Sequence, residues 1–167
     1  MQANRAYAFL VAGITFLVDQ LSKYWVTGPL GLTVEGDQHY LLPIFNFTRT
    51  HNRGISLGLF RADSEAARWA LVAVTAAIAI AMLVWIVREP RHGDRLALGL
   101  VLGGAVGNIV DRIRLGYVVD YADLHFGAFR PFLVINIADA AISIGVVILL
   151  LRAFLLRDGS PKENINA

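Results

Sequence analysis

Residues 69–87 read WALVAVTAAIAIAMLVWIV, which is 19 consecutive residues without a charged side chain. About 20 apolar residues are enough to cross a bilayer as a helix. Three more apolar stretches share this character, although the first and last contain charged residues: 6–26, 96–110 and 133–151. The whole chain is 56% hydrophobic and only 17% charged, whereas soluble domains are about 25% charged. These features predict a membrane protein.

We therefore expect an all-α membrane protein with four transmembrane helices, at residues 5–27, 66–88, 95–114 and 133–156. The length of 167 residues suits one domain. We expect that domain at residues 1–156 and a disordered cytoplasmic tail at 157–167. No small-x-small cleavage site follows the first apolar stretch, so we interpret it as a retained span rather than a signal peptide.

The orientation is predicted from the link at residues 88–95, which carries three arginines in eight residues. Such a link favours the cytoplasmic side, and an even number of spans then puts both termini in the cytoplasm. Other arginines oppose this assignment, because they would lie outside: Arg49, Arg53, Arg61, Arg112, Arg114 and Arg130.

The two outer loops differ in character. Residues 28–65 alternate apolar and polar side chains at Phe45, Asn46, Phe47 and Thr48, which predicts a strand. We expect a small β-rich piece here, lying on the periplasmic face of the membrane. Residues 115–132 are rich in aromatic side chains, which suits a belt at headgroup level.

Two carboxylates stand at the edges of apolar segments, Asp120 in GYVVDY and Asp139 in VINIADAAI. A charge near hydrocarbon is costly and therefore indicates a functional site. Held close together, two carboxylates can share one proton, which is the basis of aspartyl proteolysis. The alternative is that each is an interfacial carboxylate that caps a helix or pairs with an arginine.

Other polar residues lie beside small ones. Asn108, Asp111 and Arg112 end the third helix after Gly103, Gly104 and Gly107, which allow a second backbone to approach closely. Arg112 can orient a carboxylate or a carbonyl, or simply pair with Asp111.

Asp19 and Lys23 share one helix face at the i,i+4 spacing, which suits structural pairing more than substrate contact. Asn52 and Gly54 mark a turn that can also present an amide to a substrate. Asn136 is expected on the same face of the fourth helix as Asp139, where it can hold that carboxylate.

Several chemistries are excluded or weakened. The chain has no cysteine, so thiolate nucleophiles and disulfides are ruled out. A metal site is an alternative, with an oxygen-rich ligand set formed by Asp120, Asp123, His125 and Asp139. Their spacing matches no recognised metal-binding motif, which weakens this alternative. The main alternative is a small proton-coupled transporter or channel, in which Asp19, Lys23, Asp111 and Asp139 line a proton path.

Five sequence blocks, taken together in their order along the chain, resemble the lipoprotein signal peptidase family. This is the family of bacterial type II signal peptidases. The blocks are Asp19-Gln20-x-Ser22-Lys23, Asn52-x-Gly54, Gly103-Gly104-Ala105-x-Gly107-Asn108-x-x-Asp111-Arg112, Val118-Val119-Asp120 and Asn136-x-Ala138-Asp139.

The resemblance implies a four-helix aspartyl endopeptidase of the bacterial inner membrane, the target of the antibiotic globomycin. It implies removal of signal peptides from diacylglyceryl-modified prolipoproteins, just before the lipidated cysteine, near the periplasmic face. Asp120 and Asp139 carry over as the catalytic pair. The resemblance assigns substrate-binding or supporting roles to ten more residues: Asp19, Lys23, Asn52, Gly54, Gly104, Asn108, Asp111, Arg112, Asn136 and Ala138.

We further expect a monomer that acts in membrane lipid without a metal or other cofactor and binds no nucleic acid. The chain departs from the family pattern at Ile55-Ser56-Leu57, where Ala-Ala-Phe is frequent, and at Tyr121 and Ile135. These departures concern contacts to lipid or inhibitor and do not involve either aspartate.

Overall fold

A computed structural model describes residues 3–55, 60–61, 64–89, 92–127, 129–130 and 133–155. Four long helices dominate it: α1 (Ala3–Thr27), α2 (Glu65–Arg88), α3 (His92–Leu115) and α4 (Ile137–Leu155). The four helices predicted from the sequence are present, with α4 beginning four residues later than its predicted start. The tail at residues 157–167 lies outside the described residues.

Three of the described helices are long and apolar enough to cross a membrane, namely α2, α3 and α4. At 25 residues α1 has sufficient length, but it does not belong to this set. Asp19, Gln20 and Lys23 lower the hydropathy of its second half. The fourth span therefore stays a prediction.

Helix α3 is the centre of the bundle, because it packs against α1, α2 and α4. Glycines make these contacts close. A Cβ on Gly103 would collide with the carbonyl oxygen of Ala12 and lie 2.7 Å from the Cβ of Thr15 on α1. A Cβ on Gly104 would lie 2.5 Å from the carbonyl oxygen of Ala138 on α4. Helices α1 and α4 are thus both held so close to α3 that only glycine fits at these contacts.

The outer segments form antiparallel β-structure. A three-stranded sheet has the order β1 (Gln38–Leu42), β2 (Phe45–Asn52) and β5 (Val118–Leu124). A second, two-stranded sheet pairs β3 (Gly54–Ile55) with β4 (Phe60–Arg61). The predicted strand at Phe45–Thr48 is confirmed. The β-structure is not confined to the first loop, however, because β5 comes from the segment that we had interpreted as an aromatic belt.

The sheet packs on the end of α1 through a small apolar core. Val26, Leu32, Val119 and Tyr121 form this core, and Phe47 packs against it. A register shift between Phe47 and Thr50 bends β2 along β5. This packing holds β5, and with it Asp120, over the ends of α1 and α3.

We predict that Gly103→Ala lowers the free energy of unfolding by about 1–3 kcal/mol, because the added methyl group overpacks the α1–α3 contact. The matched control is Gly13→Ala on α1, where an added Cβ meets nothing within 4 Å. Because alanine is the better helix former, this control should be neutral or stabilise by up to about 1 kcal/mol. Thermal melts in detergent measure both, and equal melting temperatures for the two variants would contradict the close α1–α3 packing.

Candidate active site

A single amide connects the two aspartates. Asn136 lies one residue before α4, where its Oδ1 accepts a hydrogen bond from the backbone N–H of Asp139 at 2.9 Å. This is the geometry of a helix N-cap. Its Nδ2 donates to Oδ1 of Asp120 at 2.6 Å. Asn136 thus ends the loop rather than lying on the helix face as predicted, and it joins β5 to the first turn of α4.

Asp120 is almost completely buried, at 2% exposure. Its Oδ2 accepts a second hydrogen bond, from Nδ2 of Asn52 on β2 at 3.0 Å. Burial and then repulsion by the Asp139 carboxylate raise the pKa of Asp120 to about 7, although the hydrogen bonds from Asn52 and Asn136 act in the opposite direction. A carboxyl group with this pKa changes charge near neutral pH.

Asp139 is the third residue of α4 and only partly buried. Nδ2 of Asn108 on α3 donates to its Oδ1 at 2.8 Å. No hydrogen bond from the described residues reaches its Oδ2. Asp139 therefore has one oxygen fixed by the protein and one available to a ligand.

Lys23 is buried between two carboxylates. Its Nζ lies 2.8 Å from Oδ2 of Asp19 and 2.8 Å from Oδ2 of Asp111. It also donates to Oδ1 of Asn108 at 3.2 Å. Because the ammonium group holds the amide oxygen of Asn108, the NH₂ end of that amide faces Asp139. Lys23 thus determines which way the Asn108 amide points.

The two partners of Lys23 also bind backbone. Oδ1 of Asp19 accepts the N–H of Ala138 at 3.0 Å, at the start of α4. Oδ2 of Asp111 accepts the N–H of Val119 at 3.3 Å, on β5. The Asp111–Arg112 pair that we had considered does not form, because Asp111 faces Lys23.

Arg112 connects α3 to the turn after β2. Its Nη2 donates to the carbonyl oxygen of Gly54 at 2.9 Å, and its Nη1 donates to that of Asn108 at 3.4 Å. The side chain is 8% exposed, and its Nε has no hydrogen-bond partner among the described residues. Oδ1 of Asn52 accepts the N–H of Gly54 at 3.1 Å, which fixes this turn.

Small residues let these groups approach one another. The contact between Gly104 and the Ala138 carbonyl brings α3 against the first turn of α4. One turn further along α3, a Cβ on Gly107 would lie 2.5 Å from Oδ2 of Asp19. All twelve residues singled out by the sequence thus lie in one hydrogen-bonded or closely packed cluster.

Three supporting residues had no predicted role. Nε2 of Gln20 donates to Oδ2 of Asp19 at 3.1 Å and to Oδ1 of Asp111 at 3.0 Å, so it also bridges the two carboxylates. The hydroxyl of Tyr121 donates to Oγ of Ser22 at 2.7 Å, and burial raises the pKa of Tyr121 to about 12. The sequence offered one signal for Gln20 and Ser22, namely that both lie inside the Asp19–Lys23 block.

The residues of the metal alternative are not brought together. Asp123 accepts a hydrogen bond from Oγ1 of Thr48 at 3.0 Å and contacts Nε of Arg130 at 3.2 Å. His125 lies near Asn46 instead, at 3.5 Å. Within the described ranges, no three His, Asp or Glu side chains are grouped so that they could hold a metal ion.

Known proteins resemble this chain over most of its length. Residues 11–155 match the family model described as signal peptidase (SPase) II. A lipoprotein signal peptidase of Sphingopyxis alaskensis is 52% identical over 150 residues, covering 90% of this chain and 86% of that protein. One from Rhizorhabdus wittichii is 51% identical over 168 residues, covering 98% and 95%.

A solved structure, titled as a bacterial membrane enzyme determined by the in meso method, has a similar fold. It has a TM-score of 0.77 and 27% identity, covering 97% of this chain and 94% of its own. The family model matches most of the chain, and the relatives match it over nearly their whole length. The chain therefore belongs to the signal peptidase II family, whose members are membrane proteases that process lipoproteins.

Proposed function

We propose that this protein is an aspartyl endopeptidase that cuts the signal peptide from diacylglyceryl-modified prolipoproteins just before the lipidated cysteine, with Asp120 and Asp139 as its catalytic pair. The observation that carries the proposal is the Asn136 amide, which binds both aspartates. It donates to the side chain of Asp120 and accepts from the backbone of Asp139. A single buried residue thus ties the carboxyl group of Asp120 to the backbone of Asp139.

The chemistry follows from a pair that shares one proton. The ionised carboxylate takes a proton from a water molecule, whose oxygen forms a bond to the scissile carbonyl carbon. The protonated partner donates its proton to the carbonyl oxygen, which gives a tetrahedral intermediate. When the C–N bond breaks, the carboxyl group that took the water proton gives it to the leaving amine. The other carboxylate takes a hydroxyl proton from the intermediate as the carbonyl re-forms, which restores the shared proton of the pair. The pair titrates together, so the shared proton belongs to both residues.

Supporting residues orient the pair and the peptide. Asn52 and Asn108 each donate to one carboxylate. The unpartnered Nε of Arg112 is a buried donor close to the turn at Gly54. We assign it to the peptide, since a carbonyl oxygen of the substrate would satisfy a donor that is otherwise costly to bury.

The location of the ionisable groups supports proteolysis over proton transport. In α1, α3 and α4 the site aspartates and Lys23 lie near one end, and the next charged residues are Arg5, Arg95 and Arg152 toward the other end. Within the described helices, no Asp, Glu, Lys, Arg or His lies between these two levels. A proton path would need titratable groups along the bundle, whereas a peptidase needs its pair at one face.

We further propose that α1 is the fourth span, that both termini are cytoplasmic and that the site lies near the periplasmic face. The substrate would then enter sideways from the bilayer. Its acyl chains stay in lipid while the scissile bond meets the aspartates at the interface. The chain would act as a monomer in membrane lipid, without nucleic acid.

We predict that Asp120→Asn and Asp139→Asn each lower kcat by about 10³-fold or more, because each removes a group that transfers a proton in the transition state. The measurement is cleavage of a diacylglyceryl-modified peptide by the full chain in detergent, with thermal melts to establish folding. Asp37→Asn, in the first outer loop and outside the cluster, is the matched control and should keep wild-type activity. Near-full cleavage by either folded site variant would refute the mechanism.

The pH dependence gives a second prediction. Because the pKa of Asp120 is raised to about 7, the pair loses its shared proton as pH rises through that value, and kcat/KM should fall on the alkaline side. Asn52→Ala removes a donor that favours the ionised form of Asp120. The pair in this variant should therefore keep its proton to higher pH. The alkaline limb of the kcat/KM profile should move to higher pH by about several tenths of a unit or more, which is the order expected for one lost hydrogen bond.

The control for this shift is Asn46→Ala on the same strand, which contacts His125 rather than an aspartate. Its alkaline limb should coincide with that of the wild type. A limb that stays in place in Asn52→Ala, or moves to lower pH, would contradict the assignment of that limb to Asp120.

A further inference from the structure

A polar cavity lies outside the aspartate cluster. It has a volume of about 310 Å³ and opens between the start of α2, the end of α3 and the turn after β2. None of the twelve residues of the aspartate cluster lines it. Its lining consists of Arg53, Ser64, Glu65, Arg68, Leu115, Gly116 and Tyr117.

Arg68 is the most enclosed cation of this lining, at 22% side-chain exposure. One end of its guanidinium is bound, because Nη2 lies 2.9 Å from Oε2 of Glu65. Its Nε is shielded from solvent and has no hydrogen-bond partner among the described residues. A guanidinium offers several donors in a fixed planar fork, so Arg68 keeps binding capacity beyond its pair with Glu65.

The surroundings hold this guanidinium in place. Its central carbon lies 5.1 Å from the ring centroid of Trp69, which is within cation–π distance. On the other side is Gly116, at φ +84°, where a Cβ would come within 3.2 Å of Nη1. The positive φ therefore favours glycine at this position, and an added Cβ would also crowd Nη1 of Arg68.

The charge of the cavity favours an anion. Arg53 is exposed beside it and adds a second guanidinium. Glu65 is the one acidic residue of the described lining, and its side chain is 77% exposed and able to turn outward. Arginine pairs match phosphate oxygens in number and geometry better than any other side chain does.

The position of the cavity favours a lipid as the source of that anion. It lies where α2 begins at Glu65 and α3 ends at Leu115, and both helices are apolar enough to cross a membrane. The ends of two adjacent spans lie at the level of the headgroups. Leu115 adds an apolar side chain to the lining. A phospholipid placed here has its phosphate at Arg53 and Arg68 and its chains along the bundle.

We propose that this cavity is a binding site for the phosphate group of a membrane phospholipid, held by Arg53 and Arg68. The site gives a role to Arg53, one of the outer arginines that oppose the orientation predicted from the charge rule. It is separate from peptide cleavage, since it uses no residue of the aspartate cluster.

The test is native mass spectrometry of the full chain in neutral detergent, titrated with dioleoyl phosphatidylglycerol. The wild type should retain one phospholipid per chain. Arg53→Gln and Arg68→Gln should each weaken its retention by about tenfold or more, as expected for the loss of a charge-assisted hydrogen bond. The matched control is Arg114→Gln, an exposed arginine at the same end of α3 that does not line the cavity, and its retention should equal that of the wild type.

Two further probes identify the chemistry that is bound. Dioleoylglycerol has the same chains without the phosphate and should not be retained. Millimolar inorganic phosphate should not displace the lipid, and displacement would make free phosphate the ligand and overturn the proposal. Equal phospholipid retention by all four proteins, or none by folded wild type, would overturn it as well. Since Arg53 is exposed, its variant keeps the test decisive even where Arg68→Gln fails to fold.

Discussion

The buried ammonium group of Lys23 is the contact on which the arrangement of the site depends. It lies between Asp19 and Asp111, and each carboxylate in turn binds the backbone of another element, α4 through Ala138 and β5 through Val119. Four elements are therefore tied to one charge. Removing one partner of such a buried cluster typically costs about 3–5 kcal/mol, because the remaining charges are left without compensation.

The same ammonium group also orients the Asn108 amide, which contacts Asp139. An amide can present either its oxygen or its nitrogen to a neighbour, and at Asn108 the oxygen is held by Lys23 and the nitrogen by Asp139. On the other side, Asn136 holds Asp120 and the N-terminus of α4. The carboxyl groups are thus positioned by neutral donors, while the permanent charge of Lys23 is kept one residue further away.

The helices were predictable because long uncharged runs are a strong signal, and Asp120 and Asp139 were noticed because they stand at the edges of apolar segments. The ten other residues of the aspartate cluster were assigned from the resemblance to the signal peptidase II family. The strand β5 was not, since Val118, Val119, Asp120 and Tyr121 are all buried and show no alternation along the sequence. In β2 the alternation was seen, but its polar members Asn46 and Thr48 are the buried ones. The capping role of Asn136 was missed because α4 was expected to begin before it. The functional roles of these residues remain predictions.

The central position of α3 has a consequence for how the chain is made. Because α1 and α2 contact each other little and both pack on α3, the first half of the nascent protein reaches the bilayer before it has its main packing partner. During that interval Asp19 has one counter-charge within its own helix, Lys23 one turn away at 2.8 Å. If α1 is the fourth span, as proposed above, the i,i+4 spacing would let it carry a neutral pair into the membrane, and Asp111 would complete the cluster only when α3 has been synthesised. Membrane insertion and the proposed catalysis would then depend on the same lysine at different times.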